Sequence, residues 1–223
     1  GRPSTILAPK ELESGRPYTL KFEYHPAERY ARTLHYSPEG DIETYTFADS
    51  LMRAVQTKQT GVVWTGGSNQ KVSIVSGRAV VDAFGRNIKA FYPTTESYGS
   101  IGTYNTTTGD PQATTEYDVY DRTTKVALPD GATTTTAYSI VSHDGEPMLE
   151  TKVTDALGRH AESYTDEKGR NRETVQHASG DNITVKYDYD AIGQVTTVHH
   201  PNDKVTTYEY DLLGHKLKVN HPD

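Results

Sequence analysis

Residues Lys186–Asp223 read KYDYDAIGQVTTVHHPNDKVTTYEYDLLGHKLKVNHPD, one pattern stated twice. Tyr187-Asp188-Tyr189-Asp190 returns as Tyr208-Glu209-Tyr210-Asp211, Gly193 as Gly214 and Pro201 as Pro222, each 21 residues on. Val185, Tyr187 and Tyr189 alternate with Lys186, Asp188 and Asp190, and Thr206, Tyr208 and Tyr210 with Thr207, Glu209 and Asp211. That period of two marks a strand with unlike faces. Asp-x-x-Gly then has the composition of a tight turn, because Asp accepts backbone amides at its start and Gly supplies positive φ at its end. Beyond the Gly, Leu217 and Val219 alternate with Lys216 and Lys218, and a Pro-Asn-Asp turn at 201–203 closes the opposite end of the hairpin. One hairpin cannot bury its own face, so such units must stack side by side.

The pattern reaches well upstream. Asp82-Ala-Phe-Gly85-Arg86, Asp155-Ala-Leu-Gly158-Arg159 and Asp166-Glu-Lys-Gly169-Arg170 share it, and Asp190-Ala-Ile-Gly193-Gln194 and Asp211-Leu-Leu-Gly214-His215 vary it. Tyr117-Asp118-Val-Tyr-Asp121-Arg122 fits with Asp121 in the Gly place, and Pro129-Asp130-Gly131 trails Asp118 as Pro201 trails Asp190, by 11 residues. Self-similarity of this kind marks an array of one small unit. The fold it predicts is all-β: antiparallel hairpins stacked side by side into a long, twisted, curved sheet.

Composition agrees. Of 223 residues only 34% are hydrophobic, and the 16 Tyr far outnumber the 4 Phe. Mean hydropathy is −0.72. Tyr combines an apolar ring with a polar tip and suits a half-exposed sheet face, so a thin sheet with much surface per residue is expected. A net charge of −7 disfavours a nucleic-acid partner. With no Cys, disulfides, thiolate metal sites and thiol nucleophiles are excluded. No stretch nears the roughly 20 apolar residues of a membrane span, and no secretory leader pattern occurs. The halt at His221-Pro222-Asp223, in mid-repeat, predicts a piece of a longer polypeptide.

The N-terminal third is less regular. Residues 4–16 read as irregular, while Tyr18–Tyr24, Leu34–Tyr36, Ile42–Phe47, Val62–Trp64 and Val72–Val75 read as strands. Phe47, Leu51, Ala54 and Val55 have helical spacing behind an Asp49 or Ser50 cap; the same 46–58 stretch also fits one more degenerate hairpin, since Tyr45-Thr46-Phe47 resembles the Tyr-x-Tyr strand. Residues 98–111, rich in Gly, Thr and Asn, read as a loop and linker. Two regions follow: 1–77, irregular with degenerate repeats, and 78–223, the hairpin array.

Reactive readings fare poorly. Asp188 with Asp190, Asp166 with Glu167 and Glu209 with Asp211 are carboxylate pairs, as glycosidases use, yet each recurs with the repeat where a turn needs an acceptor. No catalytic residue, cofactor or metal is therefore assigned. The Asp and Gly turns do not match calcium-loop spacings. His199 and His200 point to opposite strand faces; His215 replaces the turn Arg, and His200 and His221 hold the same repeat position before Pro, which reads as repeat drift on the surface. No Gly-x-Ser-x-Gly, His-Glu-x-x-His or phosphate-cradling loop occurs. The rings of Tyr187, Tyr189, Tyr208 and Tyr210 pack the sheet or, if they face solvent, stack on sugars as a carbohydrate-binding or adhesion surface.

Tyr-x-Tyr-Asp-x-x-Gly-Arg with a trailing Pro-Asp-Gly resembles the YD repeats of Rhs proteins, of the B and C components of Tc toxin complexes, and of teneurins. The resemblance covers 115–223, extends to 78–95 and fades before that. It implies a β-hairpin strip that spirals into a hollow shell of a secreted or cell-surface, typically bacterial, protein. Such a shell encloses a C-terminal toxin or serves as an adhesion scaffold, so the partners implied are the rest of the same polypeptide, with glycans in the adhesion case. Gln194 and His215 depart from the turn Arg, and Asp121 from the turn Gly. The family's self-cleaving core segment is not in this chain, so neither self-cleavage nor toxin activity is assigned. The resemblance makes Asp82, Gly85, Arg86, Tyr117, Asp118, Arg122, Asp155, Gly158, Arg159, Asp166, Gly169, Arg170, Tyr187, Tyr189, Asp190, Gly193, Tyr208, Tyr210, Asp211 and Gly214 structural repeat residues.

Overall fold

The computed structural model describes residues 1–177 and 182–222; Asp223 of the His221-Pro222-Asp223 stretch lies outside them. The chain forms two compact units, Gly1–Thr115 and Glu116–Asp223. Every strand among the described residues belongs to an open antiparallel sheet, as the alternation predicts. The chain exposes 14441 Å², against about 10,100 Å² for a compact protein of this mass. That excess is the cost of a thin sheet.

The first unit begins with β1 (Thr5–Ile6) and one turn of helix, α1 (Pro9–Glu13), started by Pro9 in the region read as irregular. There follow β2 (Leu20–His25), β3 (Tyr30–His35), β4 (Ile42–Ala48), β5 (Ala54–Trp64), β6 (Asn69–Ser76), β7 (Ala79–Val81), β8 (Asn87–Phe91), β9 (Thr94–Ser97) and β10 (Gln112–Tyr117). Strands β1 to β6 pair in sequence order with β9 outside β6, and β7, β8 and β10 pair separately.

The 46–58 stretch is a hairpin, not a helix. Asp49 caps no helix; its carboxylate takes the amides of Leu51 (2.8 Å) and Arg53 (2.9 Å) and closes the turn between β4 and β5. The 98–111 loop is not a linker either. Both its ends lie in the first unit, and it covers the seven-stranded sheet, burying Ile101 and Asn105. Tyr104 packs edge-on against Phe47 with ring centroids 5.7 Å apart.

The second unit holds β11 (Thr123–Ala127), β12 (Thr133–His143), β13 (Glu146–Thr154), β14 (His160–Thr165), β15 (Asn171–Gln176), β16 (Ile183–Tyr189), β17 (Val195–His199), β18 (Val205–Tyr210) and β19 (Lys216–Asn220), paired strictly in sequence order. In such a meander successive turns fall on alternate rims. The turns at 118–122, 143–146, 166–170, 190–194 and 211–215 share one rim, and those at 128–132, 155–159 and 200–204 the other. The 11-residue step from Asp155 to Asp166 thus carries the same motif from one rim to the other.

A β-bulge recurs behind the turns. Pairing skips Val55, Ile88, Arg172, Thr196 and Leu217, each six residues after its motif Asp. The Asp155 turn, on the opposite rim, is followed by unbroken register. Bulges increase local twist, so the kink is written into the repeat itself.

Candidate functional site: the repeated turn and its neighbours

The motif Asp works as the expected acceptor. In the Asp82 turn, Oδ1 accepts the amides of Phe84 (2.9 Å) and Arg86 (3.0 Å), and Oδ2 accepts Arg86 Nε at 2.7 Å. The Gly85 amide donates to the Asp82 carbonyl at 3.0 Å, with Gly85 at φ +86°. This is a type I turn followed by a left-handed residue, the three-residue hairpin loop. The same carboxylate contacts recur at Asp118, Asp155 and Asp166.

Asp49 makes the set as well, with Arg53 Nε at 2.7 Å and Met52 in the Gly place at φ +62°. Sequence reasoning missed this turn because Gly is absent. The surviving signal was Asp-x-x-x-Arg.

Electrostatics follow from these contacts. Partial desolvation pushes Asp82, Asp118 and Asp166 up, but the amides and guanidinium of their own Arg outweigh it and leave each carboxyl below its ordinary range. The Arg159 guanidinium does the same to Asp155. The departures are compensated differently. His215 Nδ1 stands 2.9 Å from Asp211 Oδ2 and lowers that carboxyl, while Gln194 Nε2 donates to the carbonyl of Gly214 in the next turn on the rim at 3.3 Å.

Tyr side chains join neighbouring hairpins. The hydroxyls of Tyr138, Tyr189 and Tyr210 donate to the carbonyls of Thr123 (3.1 Å), Asn171 (2.7 Å) and Val195 (2.9 Å). Each acceptor is the first residue beyond a motif turn. Arg122 lies 4.0 Å above the Tyr138 ring and Arg170 5.0 Å above that of Tyr189. Tyr187 pairs across to Val198 and Tyr208 to Val219, and all of Tyr187, Tyr189, Tyr208 and Tyr210 are half-buried.

Three further groupings have no sequence signal, because each joins residues from strands or loops that are separated in the chain. In the first unit, Lys58, 1% exposed, reaches Glu96 Oε2 at 2.5 Å and the Ser100 carbonyl at 3.0 Å. Glu96 also accepts from Ser100 Oγ and Asn105 Nδ2, Asn105 accepts from buried Arg78, and Arg78 reaches Asp110 at 2.8 Å. This network ties the 98–111 loop to β5 and β9. In the second unit, His160, Glu162 and His177 come together, as do His143, Asp144 and Glu173. The histidines singled out from sequence do not cluster: His199 meets Asp188, His200 meets Thr206, and His215 meets its own turn.

An antiparallel strip of hairpins closed by Asp–Arg turns defines a repeat protein whose unit is the YD hairpin. The RHS repeat family model matches residues 189–223. The crystal structure of TcdB2-TccC3 superposes on 92% of this chain and 12% of its own, with 18% identity and a TM-score of 0.71. TcdB2-TccC3-Cdc42 (17% identity, 86% and 11%, TM-score 0.66) and a Photorhabdus luminescens Tc holotoxin pore (18%, 86% and 11%, 0.65) show the same fold. No curated protein matches. The repeat match identifies residues 189–223 as RHS repeat, and the superpositions show that the chain shares the fold of these structures. The chain spans about an eighth of the solved structures it matches, 12% for TcdB2-TccC3.

Proposed function

We propose that this chain is a wall segment of a larger secreted or cell-surface toxin shell, one that encloses or presents a C-terminal toxin or effector. The observation that supports it most is the superposition of 92% of the chain on TcdB2-TccC3. The local chemistry suits a wall: each motif Asp is spent on its own turn, and the hydroxyls of Tyr138, Tyr189 and Tyr210 are spent on neighbouring hairpins. In this reading the repeat residues are structural, the chain has no catalytic role, and 77/78 is where the repeat becomes regular.

The test is electron cryomicroscopy and limited proteolysis of the parent polypeptide. A hollow shell containing this segment, with the downstream region protease-resistant until the shell is opened, is expected. A downstream region cleaved as readily as an isolated domain would overturn enclosure. Glycan-array binding abolished by Tyr208→Ala would instead favour the adhesion role.

A further inference from the structure

We propose that His160, Glu162 and His177 bind one zinc-class divalent cation, stapling β14 to the end of β15. His160 opens β14 and His177 follows the last residue of β15; the His177 amide donates to the His160 carbonyl at 3.0 Å, setting the two opposite one another. Glu162 lies two residues along β14 and so shares the His160 face. One ligand atom from each residue falls within 4.8 Å of the others. The imidazoles stack, with centroids 4.1 Å apart and planes at 28°, which brings both to the same carboxylate. His177 Nε2 is 3.2 Å from Glu162 Oε2, and His160 Nε2 is 3.9 Å from Oε1.

A tetrahedral ion with bonds of ~2.0–2.1 Å needs donors ~3.3 Å apart. His177 Nε2 already stands at about that spacing from Oε2, while His160 Nε2 faces the other oxygen, Oε1, at 3.9 Å, so the ion is seated by rotation of the Glu162 carboxylate and the imidazole rings. Two imidazoles and one carboxylate form the ligand set of open zinc sites, and imidazole nitrogen selects zinc, nickel or copper over calcium and magnesium. Lys152 Nζ at 2.8 Å and the Tyr164 hydroxyl at 3.0 Å hold the carboxylate in place. Oε2 accepts from the Tyr164 hydroxyl and faces His177 Nε2, and the metal would take the place of the proton between His177 and that oxygen. The histidines line an open groove of about 530 Å³ beside Val153, Asp155, Arg159 and Ile183, which gives water access to the remaining coordination position.

The other triad is a built-in control. There Lys186 Nζ bridges two of the three members, 3.1 Å from Glu173 and 3.2 Å from Asp144, and takes the place of a cation between them, whereas Lys152 touches only Oε1 of Glu162 and leaves Oε2, the oxygen that faces His177.

The experiment is calorimetric titration of the metal-free chain with zinc chloride, repeated with Co(II) to read the visible bands of a four-coordinate site. One equivalent is expected to bind. His160→Ala and His177→Ala should each weaken binding by more than the ~10–100-fold typical of losing an outer hydrogen-bond partner, and His143→Ala should change nothing. If His177→Ala alters the circular dichroism, His177→Phe, which keeps the ring stack, replaces it. Absence of saturable binding, binding that survives both substitutions, or loss in His143→Ala overturns the proposal.

Discussion

Replacing Glu96 by glutamine keeps the shape of the side chain and removes the charge that Lys58 needs. Lys58 is 1% exposed, and its other acceptor is the Ser100 carbonyl at 3.0 Å. Removing one partner of a buried ion pair costs ~3–5 kcal/mol, chiefly from the charge left behind. The Glu96 side chain is 23% exposed, so water reaches the pair and the lower end, about 3 kcal/mol, applies. With an unfolding entropy of ~2.1 cal/mol/K per residue, the unit Gly1–Thr115 loses about 12 °C in Tm. Lys58→Met in the same background removes the stranded ammonium, so the double variant should recover much of the loss. Urea and thermal unfolding of the wild type, both single variants and the double variant give the coupling energy. A Glu96→Gln protein within 1 °C of wild type, or a coupling below about 0.5 kcal/mol, would refute the reasoning.

Three other outcomes are expected. Met52→Gly, which relieves a left-handed Met that is largely solvent-exposed, should stabilise the chain by ~0.5–1 kcal/mol in denaturant melts; Gly169→Ala should act in the opposite sense. Tyr189→Phe and Tyr210→Phe should each cost ~1 kcal/mol by losing one hydroxyl–carbonyl bond between hairpins. Glu162 is held down to about 2, first by Lys152 and then, against desolvation, by His177 and Tyr164. Its folded value lies below its unfolded one, so its stabilisation is complete above about pH 4.5 and is lost as the pH falls toward 2. With Lys152 39% exposed, screening reduces the effect to roughly 1 kcal/mol. Acid titrations of wild type and Glu162→Gln should differ over that window, and superimposable curves would count against it.

The second unit was legible in the sequence because its information is local. An Asp, the amides it accepts and its Arg lie within five residues, as at Asp166–Arg170, so reading the string reads the geometry. Strand alternation around Tyr187 and Tyr208 is local in the same sense. The bulges were not legible. Leu217 and Val219 look like one alternating face, but the skipped pairing at Leu217 interrupts it; the skip is tied to its distance from the motif Asp, which alternation by itself does not show. The Lys58–Glu96–Asn105–Arg78 network lay beyond reach for another reason: its members span residues 58–105 and meet only once the 98–111 loop has folded onto the sheet. The loop's Gly, Thr and Asn resemble those of any linker. Its fate is decided by polar groups on β5 that the sequence does not mark as buried.

The alternation of rims has a consequence for how such chains can change. A single strand with its turn occupies about 11 residues here, as between Asp155 and Asp166. Gaining or losing one such piece would reverse the direction of every later strand and exchange the two rims, sending each apolar turn tip, such as Ile192 or Leu213, to the other side. Gaining or losing two restores the arrangement. Duplications should therefore survive in even numbers of strands, and the 21-residue period is the shortest edit that leaves everything downstream facing as before.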